Sequence, residues 1–324
     1  ATDDNKLIAL STLRRITATG GTDLFTGYLK SALQVSRDMR ENRLSRVLLL
    51  TDGQANHGIV DEDEIVGHVE QLRLRGLITS TIGLGADFNE SLLKRMAASG
   101  GGNSYFVEHS EQLPDVLSGE VGDTLEVTDR DVVLEVRVPA GMHVEPMDTS
   151  RLTVVPGGLR IQLGDLVSGQ TVRVVFEVRV PAQGIEPSTT LEFVLERAGE
   201  DATEVKTGLE FVYAAQVDYM RQPVDHEVLQ HAYPTYSARA RRLAAELNAR
   251  HEYSAARRTM QEAYERLSAL AGDDPAAYEH LDALRNDTDR HGYRMDPMES
   301  KRRGYEADHW LRDRDHRGRP RRGA

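Results

Sequence analysis

The sequence predicts an α/β unit with a parallel sheet, followed by an antiparallel β-sandwich and a C-terminal α-helical hairpin region. Residues 1–118 alternate helix-period apolar positions with short apolar runs, which is typical of parallel α/β folds. Residues 119–215 alternate apolar and polar positions with a two-residue period, as half-buried antiparallel strands do. Residues 222–288 return to helical spacing, and residues 289–324 are polar, so we expect a mobile tail after the helices.

The elements of the α/β unit follow from these periods in chain order. Helices are predicted around residues 7–16, 24–33, 65–72, 89–100 and 110–117, and strands at 47–50, 77–84 and 104–107. Asn89 is a predicted N-cap because a short polar side chain can accept a hydrogen bond from a backbone N–H of the first turn. Val47–Leu50 is continuously apolar, which favours a parallel strand that is covered on both faces.

The rest of the chain is predicted from the same two periods. Alternating patterns place strands at 132–138, 172–180, 191–195 and 209–213, separated by turns at 139–141, 156–158 and 181–184 that contain proline and glycine. Apolar stripes at 240–247, 253–267 and 278–284 predict three helices. The short links between these stripes favour antiparallel helical hairpins.

Composition excludes several classes of function. The chain has 324 residues, 39% of them hydrophobic, a formal net charge of −12 and no cysteine. The acidic balance argues against broad nucleic-acid binding, and the lack of cysteine excludes disulfide scaffolds, thiolate zinc sites and cysteine nucleophiles. We find no apolar run of the roughly 18 residues that a membrane span needs. The first residues, Ala1–Lys6, do not resemble a signal peptide, so we expect a cytoplasmic protein.

Two short motifs carry the chemistry of the α/β unit. Gly20-Gly21-Thr22-Asp23 precedes a predicted helix, and Thr51-Asp52-Gly53 follows the strand Val47–Leu50. Ligands of open α/β sheets bind outside the carboxyl ends of the strands, where Asp52 is expected. Hydroxyl and carboxylate oxygens are the donors that Mg²⁺ prefers. A purely structural interpretation remains open, in which Thr22 caps a helix and Asp52 forms a turn before Gly53.

These motifs, in their order along the chain and together with Ile82-Gly83-Leu84-Gly85, resemble the von Willebrand factor type A (VWA) domain family over about residues 5–117. The resemblance implies a Rossmann-like fold and a metal-ion-dependent adhesion site (MIDAS). In that site Thr22 and Asp52 would bind Mg²⁺ directly or through water, with Asp23 and His57 at the rim of the cleft. One position on the ion would stay open for an acidic side chain of a partner protein. The order of the three parts is also similar to that of bacterial proteins in which a VWA domain precedes a β-sandwich and a helical region.

The sequence departs from the family at one loop. The family's first strand and its Asp-x-Ser-x-Ser loop, which supplies two hydroxyls and a carboxylate, are absent from this chain. We therefore expect an N-terminally incomplete VWA domain, which is either a fragment of a longer protein or a product that needs its missing part in trans. We also expect an unpaired edge on the strand Val47–Leu50 and weak or absent Mg²⁺ binding.

The function predicted from the sequence is a non-enzymatic protein-interaction module of the VWA type. No nucleophile and base pair can be assembled from local signals, so an enzyme is not expected. One alternative is a metal-independent scaffold that acts through the sandwich or the hairpin. Another is an accessory subunit of an ATPase complex, since VWA domains also occur beside such motors.

Overall fold

The structure, a computed structural model, contains a parallel sheet with helices, then antiparallel strands, then a helical region. This order confirms the predicted fold class. The structure describes residues 2–17, 20–37, 39, 45–149, 151–182, 188–198, 204–315 and 319–321. The second half of the turn predicted at 181–184 falls within residues 183–187, which lie outside the described residues.

The α/β unit has three parallel strands in the order β1–β2–β3. Its elements are α1 Asp3–Leu13, α2 Leu24–Ser36, β1 Ser45–Thr51, α3 Glu62–Arg73, β2 Leu77–Leu84, α4 Glu90–Ser99, β3 Gly101–Val107 and α5 Leu113–Leu125, with a 3-10 turn at Ser110–Gln112 before α5. The strand β2 has the predicted bounds and is buried from Leu77 to Gly83, because it pairs on both sides and packs under helices. Asn89 is the N-cap of α4, and its Oδ1 accepts a hydrogen bond from the Leu92 N–H at 3.1 Å.

Strand β1 is an edge strand within the described sheet. It pairs with β2 alone, and the side chain of Leu50 is 49% exposed. The predicted cover on both faces of Val47–Leu50 is therefore wrong for Leu50, whereas Val47 is buried as expected. The unpaired edge that the sequence predicts for this strand is present in the described part of the chain.

Helix α1 is shorter and more exposed than its sequence pattern suggests. It ends at Leu13, so Ile16 lies beyond the helix, and it contains no buried residue. Leu7, Leu10 and Leu13 are 64%, 51% and 63% exposed. Their helical spacing is typical of a packing face, but nothing in the described residues covers it.

A buried carboxylate, Glu120 on α5, joins this helix to all three strands. Its side chain is fully buried and accepts hydrogen bonds from Arg46 of β1 and Ser80 of β2. On β3 it accepts one from the Asn103 amide at 3.1 Å and one from the Tyr105 hydroxyl. Burial opposes ionisation, but the charge of Arg46 and these hydrogen bonds lower the pKa of Glu120. The carboxylate is therefore charged and fully partnered at neutral pH.

The middle of the chain forms an antiparallel sheet of five strands in the order β10–β9–β4–β7–β6, and a ribbon of two strands, β5 and β8. Its elements are β4 Val127–Arg137, β5 His143–Pro146, β6 Leu152–Val155, β7 Gly158–Val167, β8 Phe176–Arg179, β9 Thr189–Ala198 and β10 Glu204–Phe211. The strand predicted over 172–180 forms only at β8. The backbone before it bonds elsewhere: the Arg173 N–H donates to Asp313 and the Val175 carbonyl accepts from Met147.

The helical region is longer than the sequence predicts. Its elements are α6 Gln216–Tyr219, α7 His226–Ala249, α8 Tyr253–Ala271, α9 Tyr278–His291 and α10 Pro297–Leu311, with a 3-10 turn at Pro275–Ala277 before α9. Residues 289–324 are therefore not a polar tail throughout. Helix α10 buries Tyr305, Ala307 and Leu311, and the last two share a hydrophobic cluster with Ala238 of α7. No helix in the described ranges is long and apolar enough to cross a membrane.

Candidate metal and partner site after strand β1

The two residues proposed as metal ligands lie on neighbouring loops. Asp52 directly follows β1, and its side chain is exposed. Thr22 precedes α2, and its hydroxyl oxygen lies 3.7 Å from the position that a Cβ on Gly53 would occupy. Within the described residues, neither the Thr22 hydroxyl nor the Asp52 carboxylate has a hydrogen bond or an ion pair. Both oxygen-bearing groups are therefore available to a ligand.

Asn56 fixes the distance between these loops. Its Oδ1 accepts a hydrogen bond from the Thr22 N–H at 2.7 Å, and its own N–H donates to the Thr22 carbonyl at 3.1 Å. The His57 N–H donates to the same carbonyl at 3.3 Å. At the start of the second loop, the Thr51 hydroxyl donates to the Gly53 carbonyl at 3.1 Å and accepts from its N–H at 3.3 Å. Polar contacts between the two loops thus hold the crevice between Thr22 and Asp52, and Ala55 of the second loop also packs against the hydrophobic core.

The rim residues have structural partners. Asp23, and not Thr22, is the N-cap of α2, because its Oδ1 accepts a hydrogen bond from the Thr26 N–H at 3.1 Å. The helix-cap interpretation of Thr22 is therefore wrong, and its hydroxyl is left for other contacts. Gly58 has a φ of +70°, and a Cβ there would meet the Asp23 carboxylate. The exposed His57 ring occupies the space that a Cβ on Gly21 would fill.

The available oxygen ligands are of the type that Mg²⁺ binds, but they are few. Mg²⁺ takes about six oxygens in near-octahedral geometry and usually keeps several waters when it is bound through one or two carboxylates. Thr22 and Asp52 offer one hydroxyl and one carboxylate, and both are free of protein partners in the described ranges. No group of three or more His, Asp or Glu side chains in the described part of the chain could hold a metal ion. The residues present are therefore compatible with a largely hydrated ion.

The sequence of the α/β unit matches a known family. Residues 2–119 match the sequence model of the von Willebrand factor type A domain. This part of the chain is a VWA domain. Domains of this family are generally protein-interaction modules rather than enzymes. The match ends inside α5, one residue beyond the boundary predicted at 118.

Bacterial relatives extend past the VWA domain. A segment of 172 residues is 26% identical to the uncharacterized protein YfbK of Escherichia coli strain K12, covering 51% of this chain and 30% of that protein. A segment of 168 residues is 29% identical to the uncharacterized protein sll0103 of Synechocystis sp., covering 49% of this chain and 39% of that protein. The similarity therefore spans well under half the length of these curated relatives.

A solved structure shares the arrangement of the whole chain. The von Willebrand factor type A protein from Catenulispora acidiphila matches 100% of this chain and 76% of its own chain, with a TM-score of 0.63 and 16% sequence identity. At that identity the likeness shows the fold alone. It indicates that the VWA domain, the antiparallel strands and the helical region occur together, in this order, in another protein.

Asn56 is the site residue that sequence reasoning missed. The available signal was weak: an asparagine in a loop tends to bond backbone groups, but its partner lies 34 residues away. Thr22 and Asp52 were identified from their motifs, and the structure brings their loops together. Their role as metal ligands stays a prediction.

Proposed function

We propose that the protein is a non-enzymatic interaction module whose VWA domain binds an acidic side chain of a partner protein through a weakly held Mg²⁺ at Thr22 and Asp52. This proposal depends on one observation. The Thr22 hydroxyl and the Asp52 carboxylate have no partner in the described residues, and they lie on two loops that are joined by the hydrogen bonds of Asn56. An ion held by one hydroxyl and one carboxylate would keep open positions, and a partner's carboxylate is a suitable hard ligand for one of them.

The rest of the chain would orient this surface. We infer that the antiparallel strands form a sandwich in which the β5–β8 ribbon covers the five-stranded sheet. Val144 and Phe176 of the ribbon share a hydrophobic cluster with Val136 and Leu191 of the sheet. A rigid body of this kind would fix the direction in which the Thr22–Asp52 crevice faces a partner.

Isothermal titration calorimetry with MgCl₂ tests the metal part of the proposal. We expect a dissociation constant on the order of 1 mM, because the protein supplies few charged ligands. Asp52→Asn and Thr22→Val should each weaken binding by at least about tenfold, the loss of one ligand interaction of about 1.4 kcal/mol. Asp218→Asn, which changes an exposed carboxylate on α6, is the matched control and should bind as the unaltered chain does. Equal heats for Asp52→Asn and the unaltered chain would refute the site.

A peptide array tests the partner part. Peptides with one central glutamate are compared with their glutamine counterparts, in 10 mM MgCl₂ and in EDTA, at a magnesium level about tenfold above the expected dissociation constant. We expect retention of the chain only by glutamate peptides and only with Mg²⁺. Retention that is equal in EDTA would support the metal-independent scaffold instead. That alternative is favoured by exposed apolar side chains of the antiparallel strands, such as Val154 at 74% and Leu209 at 52% exposure.

A further inference from the structure

A second concave site lies where the three parts of the chain meet. It is a cavity of about 400 Å³ between β3, β7, the segment before β8, helix α7 and the end of α10. Its apolar wall includes Val127, Ile161, Val174, Pro234 and Leu311. Cavities of this size at the junction of structural units, with mixed apolar and polar walls, are typical of small-molecule sites.

The polar wall of this cavity is rich in arginine. The lining contains six arginines and four aspartates among the described residues. They are Arg46, Arg151, Arg173, Arg312, Arg314 and Arg321, with Asp123, Asp148, Asp165 and Asp313. Several of these charges are neutralised: Arg173 pairs with Asp313 at 3.3 Å, Arg314 with Asp123 at 3.7 Å, and Arg46 with Glu120, which lies outside the lining. The arginine excess makes the cavity suited to an anion.

Arg151 is a cavity arginine whose hydrogen bonds in the described residues go only to backbone carbonyls. Its Nη1 donates to the Leu163 carbonyl at 3.2 Å and its Nη2 to the Gly102 carbonyl at 2.7 Å, while its Nε is buried without a hydrogen-bond partner. It has no ion pair within the described residues. Asp148 attracts it, but that carboxylate is bonded to Arg242 at 2.7 Å. A guanidinium that is tied only to carbonyl groups remains a net positive charge, and it prefers a planar oxyanion as partner.

The electrostatic environment agrees with this geometry. Burial, followed by the positive charges of Arg312 and Arg314, lowers the pKa of Arg151 to about 9. The guanidinium is still protonated at neutral pH, but its charged form is disfavoured by its surroundings. A bound anion would remove much of that penalty.

We propose that this cavity binds a small organic anion, whose carboxylate or phosphate group pairs with Arg151 and whose apolar body lies against the valine, isoleucine and leucine wall. This site is separate from the Thr22–Asp52 crevice. It would couple the VWA domain to the antiparallel strands, because the Arg151 guanidinium donates both to the Gly102 carbonyl of β3 and to the Leu163 carbonyl of β7. The only tryptophan of the chain, Trp310, lies in the cavity wall and is 46% exposed.

Trp310 provides a direct readout for the test. We would titrate the full chain with octyl phosphate and octanoate below their micelle-forming concentrations, and follow tryptophan fluorescence. Octanol, which has the apolar body without the charge, and inorganic phosphate, which has the charge without the body, are the matched probes. We expect a saturable change with one or both octyl anions, and midpoints at least tenfold higher for octanol and for phosphate.

Two variants place the response at this cavity. Arg151→Met should raise the midpoint for the octyl anion at least tenfold, whereas Arg197→Met, which removes an arginine paired with Asp129 outside the cavity, should leave it unchanged. Thr235→Phe fills the cavity from α7 and should abolish the response. The Thr235 hydroxyl donates only to the His231 carbonyl one turn earlier, so helix α7 should tolerate the change. Thr235→Phe therefore tests the proposal even if Arg151→Met does not fold.

The outcomes separate the proposal from its rivals. An unchanged midpoint in a folded Arg151→Met variant, or in Thr235→Phe, would overturn it. Equal binding of octanol would show an apolar pocket without anion selectivity, and the absence of any saturable response would rule out the proposed ligand class. Preference between octyl phosphate and octanoate would identify which acid group the site takes.

Discussion

Asn56 shows how single residues organise the candidate site. Its side chain and its main chain both bond to Thr22, and this contact places the Thr22 hydroxyl beside the turn that follows Asp52. The two motifs could be predicted from the sequence because each has its own local signal. The contact between them could not, because a hydrogen bond between distant loops depends on the tertiary fold and leaves no periodic trace.

Glu120 makes a second residue-scale feature testable. Glu120→Gln keeps the size of the side chain but removes the charge opposite Arg46, so a buried guanidinium loses its ionised partner. Breaking a buried ion pair from one side typically destabilises by about 3–5 kcal/mol. We expect urea unfolding, followed by circular dichroism, to show a first transition lowered by about 3 kcal/mol.

The control for that experiment is Glu70→Gln, because Glu70 is an exposed glutamate on α3 whose side chain has no described partner. It should change the unfolding free energy by less than about 0.5 kcal/mol, as exposed substitutions usually do. If Glu120→Gln were as stable as the control, the Glu120 carboxylate would not be what holds α5 to the sheet.

At the scale of elements, β1 combines an unpaired edge with an exposed apolar side chain, that of Leu50. Such an edge can pair with another chain. We expect the protein to self-associate at high concentration, and Leu50→Lys to raise the concentration at which light scattering increases by severalfold, because a charge on an edge strand opposes pairing. Val60→Lys, which adds the same charge at a 52% exposed loop position, is the control and should have a smaller effect. Equal effects of the two variants would assign the association to net charge and not to the β1 edge.

The predicted elements succeed where one period runs for several turns or where a cap is explicit. Strand β2 and the Asn89 cap are examples. Strands β5, β6 and β7 were not predicted, because β5 and β6 have four residues each and β7 is interrupted by Gly164 at a φ of +83°. Helix α10 was missed because its apolar residues are few and its buried face includes Asp308 and His309, which a hydropathy pattern assigns to solvent.

At the scale of the whole molecule, α10 joins the helical region to the VWA domain. The Lys94 ammonium of α4 pairs with Asp308 at 2.5 Å, and the Lys301 ammonium donates to the Phe88 carbonyl at 2.6 Å. The Tyr305 ring packs against Phe106 of β3, in a cluster with Val107. A change in a residue on this face of α10 should therefore affect the stability of both parts together.

His309 is such a residue, and the burial of its ring leads us to expect that the folded protein loses stability in mild acid. It is 5% exposed, its ring centroid lies 3.9 Å from that of Tyr305, and both of its ring nitrogens are buried without a hydrogen-bond partner in the described ranges. Burial, then the positive charges of Arg314, Arg312 and Lys94, lower the pKa of His309 well below 6.5. The folded state therefore keeps His309 neutral at a pH where the unfolded chain takes up a proton.

The sign of the pH dependence follows from that difference. Above pH 6.5 both states are neutral at this residue, so stability is fully present. As the pH falls below 6.5 only the unfolded chain binds the proton, and the unfolding free energy decreases by up to about 1.4 kcal/mol per pH unit until the folded pKa is reached.

We expect the melting temperature, measured by circular dichroism from pH 8 to pH 5, to fall steeply in the unaltered chain. The fall should be shallower in His309→Phe, which cannot be protonated, and unchanged in His143→Gln, whose ring is 62% exposed. His291 and His280, whose pKa values are also lowered by burial, should contribute to the slope that His309→Phe retains. A His309→Phe variant with the full slope of the unaltered chain would show that this histidine is not the group that α10 must keep neutral.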